Sequence, residues 1–103
     1  MVVRGQVWTY LVGSWQYRVV IISNDEFNEF ENVHPWALVV DRTAGGSDLT
    51  VPLGPDDPLP GAAVNVAVVL RVDRTGLRHN HGYLSNDTMN LLEDALRDFL
   101  NLP

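Results

Sequence analysis

QVWTYLVGSWQYRVVII, residues 6–22, contains two segments of strand-forming residues separated by a turn signal. Gln6–Leu11 is rich in aromatic and β-branched residues, and Tyr17–Ile22 is rich in Val and Ile; both compositions are typical of β-strands. Gly13 and Ser14 lie between the two segments, and such residues favour a tight turn. The stretch therefore predicts a β-hairpin at the start of a mainly β fold.

Three further segments of the chain are predicted strands: Trp36–Val40, Leu49–Leu53 and Val64–Val72. Val64–Val72 is the most apolar of them, so we expect it to be central in the sheet and buried on both faces. Residues 41–48 are predicted to form a hairpin loop. Residues 54–61 hold three of the six prolines and predict an irregular surface loop.

The C-terminal segment predicts the one clear helix. Ser85 is a good N-cap residue, and the apolar residues that follow fall at spacings of three and four: Met89, Leu92, Leu96 and Phe99. Residues 26–31 predict at most one short helical turn, which Pro35 ends. Five or so short strands and one helix together indicate a small, strongly bent sheet or barrel covered on one side.

Length and composition restrict the classes of protein to consider. A chain of 103 residues is expected to form one domain, residues 1–103, and none of its apolar runs approaches the roughly 20 residues of a membrane helix. The absence of cysteine excludes disulfides, thiolate catalysis and Cys-type zinc sites. A net charge of -6 argues against nucleic-acid binding that ignores sequence. A local basic face can nevertheless form around Arg71, Arg74 and Arg78.

Four segments resemble the MazF/PemK toxins in order and spacing. Arg4–Trp8 is similar to the family's R-G-[DEQ]-[IV]-[WY] motif, and Arg18–Asp25 is similar to R-P-V-L-V-V-S-N-D. Leu70–Leu77 is similar to I-R-T-V-D-K-x-R-L, and Gly82–Ser85 is similar to G-x-L-S. The resemblance implies a small SH3-like or CcdB-like β-barrel of about five to seven strands with a C-terminal helix. It also implies a cytoplasmic homodimer that cleaves RNA at short sequences without a metal or other cofactor. RNA and a cognate antitoxin protein are the implied partners, and no membrane is involved.

Cleaving RNA without a metal requires a base for the 2′-hydroxyl, a cation for the charge developing on the phosphate, and an acid for the leaving 5′-oxygen. In the family, an Arg before the second strand and a Ser or Thr after the third meet in a groove; the matching residues are Arg18 and Thr43. Counted back from Asp25, Arg18 stands one place later than the family's Arg, which here would be Tyr17. In a strand that shift turns the side chain to the other face unless a bulge restores it. Arg18 as a solvated charge and Thr43 as a turn-forming hydroxyl remain alternatives.

Residues beside the two catalytic candidates are predicted to contact RNA: Trp15, Gln16, Tyr17 and Arg42. Trp15 is suited to stacking on an unpaired base, and Arg42 to clamping a phosphate. The alternatives are that Trp15 belongs to the core or a dimer contact. Arg42 can equally pair with Asp41 or Asp73.

The remaining polar residues give weaker signals. Where some family members have an acidic-amide pair, the corresponding residues of this chain are Ala67 and Val68, so one acid-base candidate is missing. His79 and His81 would share one face of a strand, an arrangement that can hold a metal. No third ligand is near them in the sequence, so we predict a polar loop there and no metal site. His34 is a candidate base only if its loop folds over the groove.

Two functions from different classes fit these observations. The ordered motif matches favour an endoribonuclease toxin that cleaves single-stranded RNA. The rival is a binding protein on the same fold that lacks catalysis, either a gyrase-poisoning CcdB-like toxin or a decayed toxin that only binds its antitoxin. The shifted Arg18 and the apolar Ala67 and Val68 favour the rival.

Overall fold

The computed structural model describes residues 1–42 and 49–103. Within these residues the chain forms one antiparallel sheet of six strands in the order β4-β5-β3-β2-β1-β6, with two α-helices and a 3-10 turn at Arg74–Gly76. The elements in chain order are β1 (Gln6–Val12), β2 (Trp15–Ile21), α1 (Asp25–Asn28), β3 (Trp36–Asp41), β4 (Thr50–Pro52), β5 (Ala63–Arg71), β6 (Leu77–Tyr83) and α2 (Asn86–Leu100). The predicted fold class, mainly β with a C-terminal helix, is confirmed. The sheet of the described residues has edges at β4 and β6, so it is barrel-like without being a closed ring.

The predicted hairpin at the start of the chain is confirmed. Val12 lies opposite Trp15, and the pairing of β1 with β2 runs without interruption from there to Val7 opposite Val20. Gly13 has a φ of +57°, a left-handed conformation that two-residue hairpin turns favour and that glycine adopts without a steric penalty. The uninterrupted register fixes which side chains of β2 share a face.

The prediction that the fifth strand is central and buried on both faces is wrong for its second half. β5 lies between β4 and β3, but the register with β3 breaks so that Leu38 lies opposite Val69 while Val39 lies opposite Asn65. The Asn65 side chain accepts a hydrogen bond from the Ala67 backbone N–H within this irregular stretch. The short β4 pairs only with Ala63–Asn65. The residues of β5 after Val66 therefore have no pairing with β4, and Val68 and Val69 are each 40% exposed.

The predicted polar loop around the two C-terminal histidines is also wrong. Residues 77–83 form β6, which pairs antiparallel with β1, and two register shifts interrupt this pairing. The segment has few β-branched residues and is mostly exposed, so strand propensity alone does not mark it. Pairing with the β1 backbone decides its conformation.

Apolar side chains pack on both faces of the sheet. On one face Val7, Val20 and Leu38 pack with Leu92 of α2 in a single buried cluster. Tyr10 belongs to a second cluster together with Val19, Ile21, Ala37 and Val72. Because side chains alternate along a strand, the two clusters mark opposite faces. None of the described helices is both long and apolar enough to cross a membrane.

Asp57 connects the proline-rich loop, residues 54–61, to the start of α2. Its buried carboxylate accepts hydrogen bonds from Gly54 N (2.8 Å), Ser85 N (2.8 Å) and Thr88 Oγ1 (2.6 Å). Burial raises the pKa of Asp57, but the hydrogen bonds from Thr88, Ser85 and Gly54 outweigh it and lower the pKa overall. Ser85 is the N-cap of α2, as predicted. The loop is thus fixed against the helix by an ionised side chain.

Candidate functional site

Arg18 projects from the face of the sheet that carries the α2 cluster. Val20 packs into that cluster, and the residue two positions earlier in a strand points to the same side. The register of β1 with β2 has no bulge, so the bulge considered as a way to restore the orientation of Arg18 is absent. Tyr17 packs instead with the Tyr10 cluster on the other face. Arg18 reaches the α2 face directly, one residue later than the family spacing.

Arg18 lies in an open cleft of about 230 Å³. The other walls come from the end of β3, with Val40, Asp41 and Arg42, and from the proline-rich loop, with Pro60. Among residues 1–42 and 49–103, neither Arg18 nor Arg42 forms an ion pair, so the alternative that Arg42 pairs with Asp41 or Asp73 does not hold. The cleft therefore offers two guanidinium groups to an anion, against the single carboxylate of Asp41.

The other predicted site residues do not all lie on the face of the sheet that carries this cleft. Gln16 is exposed and, by strand alternation, shares the face of Arg18. Trp15, which is 70% exposed, and Tyr17 alternate to the opposite face, so the structure does not bring their side chains to the cleft. Thr43 lies outside the described residues. The catalytic and RNA-binding roles of these residues stay predictions.

A second polar group adjoins Arg18, and the sequence pattern did not mark it as part of the site. Thr9 of β1 lies directly opposite Arg18, and its Oγ1 is 2.8 Å from His81 Nε2 on β6. The rings of His79 and His81 meet edge to face, with centroids 4.5 Å apart. We call Thr9, His79 and His81 the histidine cluster. Its only sequence signal is the spacing of two between the histidines, which becomes informative once β6 is known to be a strand.

The electrostatic environment of the histidine cluster favours a neutral imidazole. Burial lowers the pKa of His81, and coulombic interactions with His79 and Arg18 lower it further. At neutral pH, His81 is thus uncharged and keeps a lone pair that can accept a proton. In the described part of the chain, no three His, Cys, Asp or Glu side chains are arranged to hold a metal ion.

Two of the three arginines of the predicted basic face, Arg71 and Arg74, have structural partners, while Arg78 is exposed on β6. Arg74 donates from Nη2 to the backbone carbonyls of Asn28 and Phe30, which fixes the residues after α1. The Arg71 guanidinium lies over the Trp36 ring, 5.3 Å from its centroid. The predicted basic face around Arg71 and Arg74 is therefore partly used within the fold, which leaves the Arg18 cleft as the better anion site.

Comparison with known proteins places the chain in a family. The sequence profile of the PemK-like, MazF-like toxins of type II toxin-antitoxin systems matches residues 4–100. No curated protein matches the chain significantly.

Solved structures resemble this chain over nearly its whole length. An endoribonuclease from a mycobacterial species, in complex with its cognate antitoxin, is 29% identical with a TM-score of 0.90, covering 100% of this chain and 98% of its own. A second mycobacterial endoribonuclease is 29% identical with a TM-score of 0.86, covering 98% and 92%. MazF in a MazE-MazF complex from Deinococcus radiodurans is 16% identical with a TM-score of 0.82, covering 98% and 96%, which shows a shared fold alone.

Proposed function

The chain belongs to the family of PemK-like, MazF-like toxins of type II toxin-antitoxin systems, and we propose that it is an endoribonuclease that cleaves single-stranded RNA at the Arg18 cleft. The observation that carries this proposal is the pair of guanidinium groups, Arg18 and Arg42, that line one cleft without an ion pair among the described residues. The two structures that are 29% identical to this chain are both endoribonucleases. Both observations favour a phosphodiester as the group that binds there.

Arg18 supplies the charge that the cleavage step needs. Its planar guanidinium can donate two parallel hydrogen bonds to the non-bridging oxygens of a phosphate, and these bonds strengthen as negative charge develops in the transition state. Arg42, which also lines the cleft, binds a neighbouring phosphate and orients the RNA strand. Thr43, the residue after Arg42, remains our proposed second catalytic residue, whose hydroxyl would stabilise the charge that develops on the phosphate.

The proposed reaction is a transesterification within the RNA. The 2′-oxygen loses its proton and forms a bond to phosphorus, the bond from phosphorus to the 5′-oxygen breaks, and the leaving oxygen gains a proton. The products are a 2′,3′-cyclic phosphate and a 5′-hydroxyl. We propose from the family resemblance that the cleavage is sequence-specific and needs no metal. A cleft of about 230 Å³ suits a short single-stranded segment of RNA.

The test is incubation of the purified protein with a single-stranded RNA of mixed sequence in excess chelator. We expect cleavage at a few short sites and products that polynucleotide kinase can phosphorylate at their 5′-hydroxyl. Activity that disappears in chelator and returns with a divalent ion would contradict the metal-independent reaction. A protein that binds its antitoxin but cleaves no RNA would instead indicate the non-catalytic rival.

An antitoxin is the protein partner of toxins in this family, and we propose that an acidic segment of it lies across the Arg18 cleft. The two guanidinium groups of the cleft, which form no ion pair with any described residue, attract carboxylates as well as phosphates. Such a segment would compete with RNA for Arg18 and Arg42, which explains neutralisation without any change in the toxin fold. RNA and antitoxin as partners favour action in the cytoplasm.

We also propose that the active form is a homodimer. Part of the sheet exposes apolar side chains that a monomer leaves in water: Trp36 is 43% exposed, and Val69, opposite Leu38, is 40% exposed. Strand alternation places Trp36 on the same face as Leu38 and therefore as Val69, and we call Trp36 and Val69 the sheet patch. A two-fold contact buries the same patch of both copies and gains the hydrophobic free energy that the exposed residues forgo.

A further inference from the structure

Arg18 and Arg42 leave one requirement of the proposed reaction unmet. Both guanidinium groups stay protonated at any physiological pH, so neither can remove the proton of the 2′-hydroxyl. Asp41 lines the cleft, but Val40 packs into the α2 cluster, so strand alternation turns the Asp41 side chain to the other face of the sheet. Ala67 and Val68, where some family members have an acidic-amide pair, carry no titratable group. Among the described residues, a proton acceptor for this reaction has to come from elsewhere on the face of Arg18.

The histidine cluster lies next to Arg18 on that face. Val7 packs under α2, so strand alternation places Thr9 of β1 on the side from which Arg18 projects. Thr9 and Arg18 lie directly opposite each other, and the Cβ atoms of such cross-strand pairs are about 5 Å apart. His81 is hydrogen-bonded to the Thr9 hydroxyl at 2.8 Å. The Thr9 side chain therefore lies between the imidazole and the guanidinium that would hold the phosphate.

We propose that His81 is the general base of the cleavage reaction and that Thr9 is the residue that positions its ring. This inference rests on the proposed function, because it assigns a role within the same RNA cleavage. The imidazole takes the proton of the 2′-hydroxyl as the 2′-oxygen forms its bond to phosphorus. The bond from phosphorus to the 5′-oxygen breaks, that oxygen takes a proton from water, and His81 later returns its proton to solvent.

The hydrogen bond to Thr9 serves this role in the imidazole tautomer whose Nε2 carries the proton. A neutral imidazole has one N–H donor and one acceptor nitrogen, and the Thr9 hydroxyl can donate or accept. When Nε2 donates to Thr9, Nδ1 keeps the free lone pair that takes the proton of the substrate hydroxyl. The ring orientation is then set by β1, which also sets the position of Arg18.

The charges around His81 keep it in the form that a base requires. His79 on the same strand and Arg18 on β2 are the charged or titratable groups that act on it, while β1 contributes the neutral Thr9. Burial and the coulombic interactions with these two groups hold the pKa of His81 below its usual 6.5. The cleavage rate should therefore rise with pH through a value below 6.5 and then level off.

The experiment compares three single variants with the wild-type protein in chelator. His81→Gln keeps a side chain that can bond Thr9 but cannot accept a proton at neutral pH, so we expect a loss of about 100- to 10,000-fold in kcat/KM and loss of the acidic limb of the pH profile. Thr9→Val should lower kcat more than it raises KM. His34→Gln is the matched control. His34 is an exposed loop residue that interacts electrostatically with Asp73 and not with His81, so this variant should cleave RNA at the wild-type rate.

The outcomes separate this inference from the proposed function. If the wild-type protein cleaves RNA and His81→Gln cleaves within twofold of it with the same pH profile, His81 is not the base, while the endoribonuclease proposal stands. If the wild-type protein does not cleave RNA, both proposals fail. Circular dichroism establishes that each variant is folded, and Thr9→Val, which leaves the imidazole in place, tests the site again if His81→Gln does not fold.

Discussion

Asp57 Oδ2 accepts a 2.6 Å hydrogen bond from the hydroxyl of Thr88, at a buried site between the proline-rich loop and the first turn of α2. The same carboxylate also binds Gly54 N and Ser85 N. Pro60, in the same loop, is part of the wall of the Arg18 cleft. The shape of the candidate active site thus depends on a hydrogen-bonded carboxylate that takes no part in the chemistry.

Replacing Asp57 should weaken the fold. Asp57→Asn puts an N–H₂ group where one oxygen accepts hydrogen bonds, so at least one buried donor loses its acceptor, which costs about 1–3 kcal/mol of unfolding free energy. Urea unfolding at pH 7 measures the loss. Asp56→Asn is the matched control, because Asp56 is an exposed neighbour in the same loop, and equal destabilisation by both variants would contradict the assignment.

The stability contributed by Asp57 should also depend on pH in a defined direction. Its pKa in the folded protein is lowered, so folding favours the ionised form. This contribution is fully present above the pKa of the unfolded chain, about 4, and is lost as the pH falls through the lowered pKa of the folded state. Unfolding free energies between pH 7 and pH 3 should therefore fall less steeply in Asp57→Asn than in the wild-type protein.

Arg18→Ala should reduce RNA cleavage by about two to three orders of magnitude, the range found when one transition-state donor is removed. The fold should survive, since Arg18 forms no ion pair with any described residue and lines an open cleft. Single-turnover cleavage of a short RNA measures the effect. Arg97→Ala on the exposed face of α2 removes the same charge away from the cleft, and a similar loss there would mean that only net charge matters.

Thr43→Ala tests the second proposed catalytic residue. Its role comes from the family resemblance, and it lies outside the described residues. We expect a loss of about two to three orders of magnitude in the cleavage rate if the hydroxyl stabilises the developing charge on the phosphate. Thr43→Ser keeps the hydroxyl and should retain most of the activity. Equal activity of the Ala and Ser variants would remove Thr43 from the mechanism.

Disrupting the sheet patch should produce monomers. Val69→Asp places a charge at the exposed position opposite Leu38, where a monomer tolerates it and an apolar two-fold contact does not. Light scattering at micromolar concentration should show half the wild-type mass for this variant. Val12→Thr is the control, because Val12 is also exposed but lies at the β1–β2 turn. A wild-type protein that is monomeric and still cleaves RNA would overturn the dimer proposal.

Some features of the site followed from the local sequence and others did not. The β-branched run of β2 and its turn predicted a hairpin, which made the orientation of Arg18 a matter of counting residues. Counting residues left the face of Arg18 undecided, because a shift of one residue turns a strand side chain to the other face of the sheet. Val20 packing under α2 resolves it, and this contact joins residues far apart in the chain.

Local sequence patterns were enough to predict the mainly β class, the first hairpin, the N-cap and apolar stripe of α2, and the motifs of the toxin family. These depend on residues close together in the chain, whose spacing reports local backbone geometry directly. Local patterns did not predict that residues 77–83 pair as β6, that residues in the second half of β5 are exposed, or that His81 contacts Thr9 beside Arg18. Each of these depends on backbone pairing between distant segments, which side-chain patterns mark weakly when a strand is short, polar or at an edge.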